Sequence, residues 1–222
     1  LPYHNHIPHR TLPIWNTKAK LPGSSEFEIY KNNKLAGTVN WSLMGKHNAL
    51  NGLATIIAAQ HAGVPVSVAT AALQTFKNVK RRMEIRAKIN NITIYDDFAH
   101  HPTAIHMTLA GLRKHVGKSP IIAVLEPRSN TMRMGTHKNT LGQSLALADE
   151  VILYQPENLD WDLSDVVEST KQDIQVFDNI QAIIDYILDI SKGGEHILIM
   201  SNGAFGGIHE KLIAQMEQQS PE

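Results

Sequence analysis

The segment IYDDFAHHPTAI, residues 94–105, groups two aspartates and two histidines directly after a short apolar run. An aspartate at the end of a strand often accepts hydrogen bonds from the hydroxyls of a ribose. A histidine can bind a metal, act as a base or donate a hydrogen bond. Because adjacent side chains on an extended or turning segment point in different directions, His100 and His101 are not expected to share one metal. Taken alone, they favour a helix cap or another structural role.

Two further segments contain residue types that bind anions. EPRSNTMRMG, residues 126–135, contains Arg128 and Arg133, whose guanidinium groups suit carboxylates and phosphates. SNGAFGGIHEKL, residues 201–212, places three glycines before a predicted helix, where backbone N–H groups favour an anion. Its glycine spacing is not that of a dinucleotide-binding fingerprint. The alternatives are solvated surface charge for the first segment and a plain strand-to-helix turn for the second.

A third segment, GKHNALNGLATIIAA, residues 45–59, carries two amide side chains near the start of a predicted helix. Asn48 and Asn51 are three residues apart and therefore lie on one helix face. An asparagine amide can pair its donor and acceptor with the edge of an adenine. The alternative is that Asn48 caps the helix.

The elements that would position these residues fall into two groups. In the first group, a β-hairpin with a KNNK turn is followed by a helix ending at Gly63 and a second helix with Ser67 as candidate cap. In the second group, strands at 92–95, 120–126, 150–154, 174–177 and 196–201 alternate with helices at 102–116, 136–149, 179–191 and 206–219, Thr136 being a candidate cap. Apolar strands separated by helices predict a Rossmann-like, doubly wound α/β domain with a mostly parallel sheet. Ligands of such sheets bind beyond the carboxyl ends of the strands, where these polar segments lie.

Composition excludes several classes of protein. The 222 residues have a formal net charge of zero, so neither a nucleic acid nor a membrane surface is an expected partner. The chain has no cysteine, which excludes disulfide scaffolds and thiolate metal sites and fits a reducing cytoplasm. No run of 18 apolar residues is present. His4, His6 and His9 have no acidic residue close by, so we interpret the start of the chain as a loop with incidental histidines.

Together these segments resemble the Mur ligase family, the ATP-dependent amide ligases of peptidoglycan synthesis. GKHNALNGLATIIAA is similar to the family's central-domain helix, and FKNVKRRMEI is similar to its junction between the central and C-terminal domains. DDFAHHPTAI resembles the first loop of the C-terminal domain, and LEPRSNTMRMG and SNGAFGGIHEKL complete the set. The resemblance implies that residues 1–80 are the tail of a central ATPase domain and that residues 81–222 are the C-terminal domain.

For ATP, the resemblance implies a set of four residues. Asn48 and Asn51 would lie near the adenine. Arg82 would reach the ribose and the phosphates, and Asp97 would bind the ribose hydroxyls. Mg²⁺ is expected as a cofactor, held mainly by a part of the enzyme that these residues do not include.

For the second substrate, the resemblance implies a carboxylate site at Ser201 and Asn202 and the backbone that follows. Arg128 and Arg133 are candidates for the other carboxylates of a peptide. His100 and His101 would lie by the cleft between the domains and help to position phosphate or peptide rather than hold a metal.

The reaction so implied joins UDP-N-acetylmuramate to the recycled tripeptide L-Ala-γ-D-Glu-meso-diaminopimelate through an acyl phosphate. The alternatives are a ligase that adds L-alanine alone and a non-catalytic module that binds a nucleotide or a peptide. The family's phosphate loop, G-x-x-G-K-[ST], is absent from the 222 residues. We therefore expect the chain to be the C-terminal part of a ligase and to be inactive alone.

Overall fold

The computed structural model describes residues 12–20, 23, 25–157, 159–168 and 173–219. A first, antiparallel sheet has the order β1-β2-β3 and consists of β1 (Trp15–Ala19), β2 (Glu26–Lys31) and β3 (Lys34–Asn40). The predicted hairpin is confirmed by β2 and β3. Asn32 and Asn33 form its turn with φ values of 49° and 61°, a left-handed pair that asparagine tolerates.

Strand β1 is an addition to the prediction, which treated this part of the chain as a loop. It pairs with β2 so that Trp15 lies opposite Lys31 and Ala19 opposite Phe27. Its side chains are half-buried or exposed, so the strand has no apolar run from which it could be predicted. The histidines at positions 4, 6 and 9 lie outside the described residues.

Two helices, α1 (Lys46–His61) and α2 (Val66–Gln74), pack against the first sheet. The core between them includes Phe27, Ile29 and Ile56, which are fully buried. The predicted cap at Ser67 is wrong, because Pro65 occupies the cap position with extended backbone and the helix begins at Val66. The end of α1 agrees with the prediction, since Gly63 follows it with a φ of 90°.

The second sheet has six strands in the order β4-β5-β9-β6-β7-β8. They are β4 (Glu84–Ile89), β5 (Ile92–Asp97), β6 (Ile121–Leu125), β7 (Glu150–Tyr154), β8 (Ile174–Phe177) and β9 (His196–Met200). All pairs are parallel except β4 with β5, which confirms the mostly parallel sheet. β4 was not predicted, because it is an edge strand in which Glu84, Arg86 and Lys88 alternate with apolar residues.

Helices cover both faces of this sheet. They are α3 (Pro102–Val116), α4 (Asn130–Arg133), α5 (Lys138–Ser144), α6 (Ser164–Glu168), α7 (Ile180–Ile190) and α8 (Ile208–Gln218). Successive strand residues face opposite sides, so that Ala123 and Leu125 pack with α3 and α5, whereas Ile122 and Val124 pack with α7 and α8. The short helices α4 and α6 were not predicted. The cap at Thr136 is wrong, because α5 begins at Lys138 after His137.

The two units meet through close backbone packing. Met44, which precedes α1, is buried in the same core cluster as α3. A Cβ atom on Gly111 of α3 would lie 3.2 Å from the Cα of Gly45, so an alanine here would require the backbone at Gly45 to shift by a few tenths of an ångström. The predicted domain boundary at residue 80 falls in the segment between α2 and β4. None of the helices in the described part of the chain is both long and apolar enough to cross a bilayer.

Candidate functional site

A cavity of about 340 Å³ lies between α1, α2 and the segment that leads into β4. We call it the junction cavity. Its lining includes Asn48, Asn51, Leu73, Phe76, Val79 and Arg82. Three of the four residues predicted to bind ATP therefore surround one space, and most of the other lining side chains are apolar.

The two asparagines occupy the first turns of α1. The helix cap is Gly45, which makes no side-chain cap bond, so the alternative that Asn48 caps the helix is wrong. Instead, Asn48 lies inside the helix and its Nδ2 donates to the carbonyl of Met44 at 2.7 Å. Asn51 is exposed, as are Phe76 at 44% and Val79 at 63% of their surface. Exposed apolar side chains beside amide groups suit a flat heteroaromatic ring.

Two neighbouring arginines of the junction segment have different surroundings. The Arg81 guanidinium donates to the carbonyl of Ser201 and lies 3.4 Å from Asp96. Arg82 is exposed, and its Cζ lies 5.6 Å from the centre of the Phe98 ring. Arg81, whose φ is 59°, also approaches Phe98, with its Cζ 5.3 Å from the ring centre. Arg81 thus ties the junction to the second unit, and Arg82 faces the junction cavity.

Asp97 is buried, with 3% of its surface exposed. Its carboxylate accepts hydrogen bonds from the backbone N–H groups of Met83 and Ala99, both at 2.8 Å. Burial raises the pKa of Asp97, and these N–H groups and the charge of Arg82 lower it in part. The carboxylate therefore fixes the turn around Met83. Its predicted contact with a ribose stays a prediction.

The two histidines of the opening segment have separate partners. The Nδ1 atom of His101 accepts a hydrogen bond from Thr103 N at 3.3 Å and caps α3, as the residues alone favoured. The His101 ring also packs against that of His137, with centres 4.3 Å apart. The Nδ1 atom of His100 lies 2.8 Å from the carbonyl of Phe98. The described residues contain no group of three or more His, Asp or Glu that could hold a metal ion.

A second cavity, of about 540 Å³, lies at the carboxyl ends of β6, β7 and β9. We call it the strand-end cavity. Its lining includes Glu126, Arg128, Arg133, Tyr154 and Asn202, so it brings together three of the four residues predicted to bind the second substrate. The side chain of Arg128 is exposed and makes no hydrogen bond or ion pair with any described residue.

Ser201, the fourth residue of that set, is buried and does not line the strand-end cavity. Its hydroxyl donates to the carboxylate of Glu126 and accepts from Gly203 N at 2.8 Å. Ser201 therefore orients Glu126 and the following loop. Glu126 itself was not predicted, although an acidic residue directly after a buried strand and two residues before Arg128 was a signal for it.

Fold and geometry together define a doubly wound α/β unit with one cavity at its junction with the first unit and another at the carboxyl ends of its strands. The chain belongs to the Mur ligase family, because residues 81–203 match the sequence profile described as "Mur ligase, glutamate ligase domain". It is 48% identical over 200 residues to the UDP-N-acetylmuramate–L-alanyl-γ-D-glutamyl-meso-2,6-diaminoheptandioate ligase of Escherichia coli K12. That alignment covers 90% of this chain and 44% of the relative.

Other relatives agree with this assignment. The ligase of the same name from Haemophilus influenzae is 42% identical over 204 residues, which are 91% of this chain and 45% of the relative. Among solved structures, a murein peptide ligase from Psychrobacter arcticus superposes with a TM-score of 0.69 at 40% identity, covering 94% of this chain and 45% of that one. A UDP-N-acetylmuramate–alanine ligase from Thermotoga maritima superposes with a TM-score of 0.78 at 21% identity, covering 93% and 46%, and supports the fold alone. The chain thus spans less than half the length of these relatives.

Proposed function

We propose that this chain serves in an ATP-dependent ligase that joins UDP-N-acetylmuramate to the tripeptide L-Ala-γ-D-Glu-meso-diaminopimelate. The observation that carries the proposal is the 48% identity, over 90% of the chain, to a ligase whose name states these substrates. The volume of the strand-end cavity supports it, because 540 Å³ is within the range of about 300–1,000 Å³ for sites of drug-sized ligands. A single alanine would leave most of that space unfilled.

In this proposal the junction cavity holds the nucleotide. Phe76 and Val79 cover the faces of the adenine, and the amides of Asn48 and Asn51 pair with its edge. Arg82 lies at the rim and neutralises phosphate charge. Bound ATP supplies the phosphoryl group that activates the carboxylate of the muramate.

The strand-end cavity holds the tripeptide. Arg128 and Arg133 bind its carboxylates, and Asn202 binds the chain next to them. The Oδ1 atom of Asn202 is buried and has no hydrogen-bond partner among the described residues, so a ligand N–H would satisfy it. Ser201 acts through Glu126 rather than by direct contact.

The chemical task of this chain is to orient the amine of the tripeptide's L-alanine towards the activated carboxyl carbon. Attack forms the amide bond, and phosphate leaves. His101 contributes by fixing the start of α3, and we place His100 beside the bound phosphate or peptide. Closure of the two units over both ligands would exclude water from the activated carboxyl group.

The test is a ligase assay with the gene product that carries this chain, given UDP-N-acetylmuramate, ATP and either the tripeptide or L-alanine. The proposal predicts a product with the mass of UDP-N-acetylmuramate plus tripeptide less one water, together with released phosphate. Consumption of L-alanine but not of the tripeptide would support the L-alanine ligase instead. Nucleotide binding without any product would support a non-catalytic module.

A further inference from the structure

We propose that Gly203 is a positioning residue for Arg128, because the missing side chain at residue 203 sets where the guanidinium lies in the strand-end cavity. The inference rests on the proposed function only for the identity of the ligand. Gly203 and Arg128 lie close together in space, although 75 positions separate them in the sequence.

Direct overlap carries the inference. A Cβ atom on Gly203 would lie 1.9 Å from Nη1 of Arg128, and 2.7 Å from both its Cδ and its Cζ. All three distances are far below van der Waals contact. Because the overlap involves atoms along the outer half of the side chain, Arg128 must lie flat across the Cα of Gly203. Any other residue at position 203 would occupy the space of the arginine.

Backbone conformation does not explain the glycine. Gly206 and Gly207 of the same loop have φ values of 54° and 71°, but Gly203 is not among the glycines with positive φ. An alanine is therefore compatible with the backbone at this position. Moreover, Gly203 N donates to the hydroxyl of Ser201 at 2.8 Å, which holds the loop in place. An added methyl group would displace the arginine rather than the loop.

No hydrogen bond or ion pair with another described residue holds the Arg128 guanidinium. Its backbone N–H donates to the carbonyl of Glu126 at 2.9 Å, which fixes the main chain. The side chain makes no hydrogen bond or ion pair within the described part of the chain. With no side chain at residue 203, the rotamer of Arg128 that lies across this position stays accessible, and a Cβ atom there would exclude it.

The first test needs no ligand. In protein labelled with ¹⁵N-arginine, the Nε–Hε resonance of Arg128 is assigned by its loss in Arg128→Ala. We expect Gly203→Ala to move this resonance, whereas Ala204→Gly, which alters the same loop without adding atoms, leaves it in place. An Arg128 resonance that is unchanged in Gly203→Ala would overturn the inference.

The second test is a double-mutant cycle, read by calorimetric titration with L-Ala-γ-D-Glu-meso-diaminopimelate. We expect Gly203→Ala to weaken binding about tenfold, on the scale of one charge-assisted hydrogen bond. In the Arg128→Ala background the same change should have no further effect, because the methyl group acts only through the arginine. Losses of tripeptide binding free energy that simply add in the double variant would contradict the inference. If the unaltered chain does not bind the tripeptide, the proposed function fails for this chain, and the resonance still decides the role of Gly203.

Discussion

Asn48 and Asn51 lie one turn apart on α1, yet of their two side chains only that of Asn48 makes a hydrogen bond with a described residue. Asn51→Ala is therefore expected to weaken ATP binding about three- to tenfold without a change in stability. Asn48→Ala should weaken it similarly and also lower the free energy of unfolding by about 1 kcal/mol, because the bond to Met44 is lost. Calorimetric titration and urea unfolding measure both effects. Gln60→Ala, on the last turn of α1, is the control and should leave ATP affinity unchanged. Unchanged ATP affinity in Asn51→Ala would show that this asparagine does not contact the nucleotide.

His209 gives the molecule a pH dependence with a defined sign. It is 5% exposed, and burial lowers its pKa although the nearby Asp96 carboxylate raises it. In the unfolded chain the His209 ring is protonated below about pH 6.5, whereas in the folded protein it is protonated only at a lower pH. This contribution to stability is complete above about pH 6.5 and is lost as the pH falls below that value.

The prediction compares His209→Gln with the unaltered chain. Between pH 7.5 and pH 5.5, the free energy of unfolding should fall less in His209→Gln, because the other titrating groups are the same in both proteins. Urea unfolding at the two pH values measures this difference. An equal fall in the free energy of unfolding in the unaltered chain and in His209→Gln would contradict the pH dependence assigned to His209.

Residue types pointed to segments that line the two cavities, but they did not tell neighbouring residues apart. Arg82 lines the junction cavity and Arg81 does not, and Asn202 lines the strand-end cavity whereas Ser201 is buried. Arg81 has a positive φ, which the sequence does not indicate because the residue is not a glycine. Burial of Ser201 follows from its bond to Glu126, a contact across 75 positions.

At the scale of elements, Arg81 joins the junction segment to strands β5 and β9. It shares the buried Asp96 with Arg86 and donates to the carbonyl of Ser201. Arg81→Ala is expected to lower the free energy of unfolding by about 1–3 kcal/mol, since a buried carboxylate and a carbonyl both lose a donor.

Arg82→Ala provides the matched comparison. Its side chain is exposed, so stability should change little, but affinity for ATP should fall because a cation leaves the junction cavity. Urea unfolding and ATP titration of the two variants separate the roles. The reverse pattern, with a stable Arg81→Ala and an unstable Arg82→Ala, would show that the arginines are assigned the wrong way round.

The elements that the sequence predicted well are those with a continuous apolar run. Strands β6, β7 and β9 are buried on both faces, and their sequences IIAVL, EVILY and HILIM show it. The edge strands β1 and β4 are half-exposed and rely on backbone pairing with a neighbour, which composition does not reveal. Helices of four or five residues, such as α4 and α6, are too short to show the 3.6-residue apolar repeat that would predict them.

At the scale of the whole molecule, the contact between Gly45 and Gly111 sets how the two units meet. Alanine normally stabilises a helix by about 1 kcal/mol relative to glycine. In Gly111→Ala, however, the methyl group would lie 3.2 Å from the Cα and 3.4 Å from the N of Gly45, and these backbone atoms have no rotamer with which to avoid it. We expect a melting temperature lower by about 2–4 °C and weaker ATP binding. A higher melting temperature would show that the units adjust freely.

The proposed substrate class depends on the strand-end cavity, and a direct titration tests it. Calorimetry of this chain with L-Ala-γ-D-Glu-meso-diaminopimelate, with L-alanine as control, compares the two candidate substrates without the chemical step. Our account predicts that the tripeptide binds, that L-alanine does not, and that Arg128→Ala abolishes most of the affinity. Binding of L-alanine alone, or tripeptide binding that is indifferent to Arg128, would contradict it.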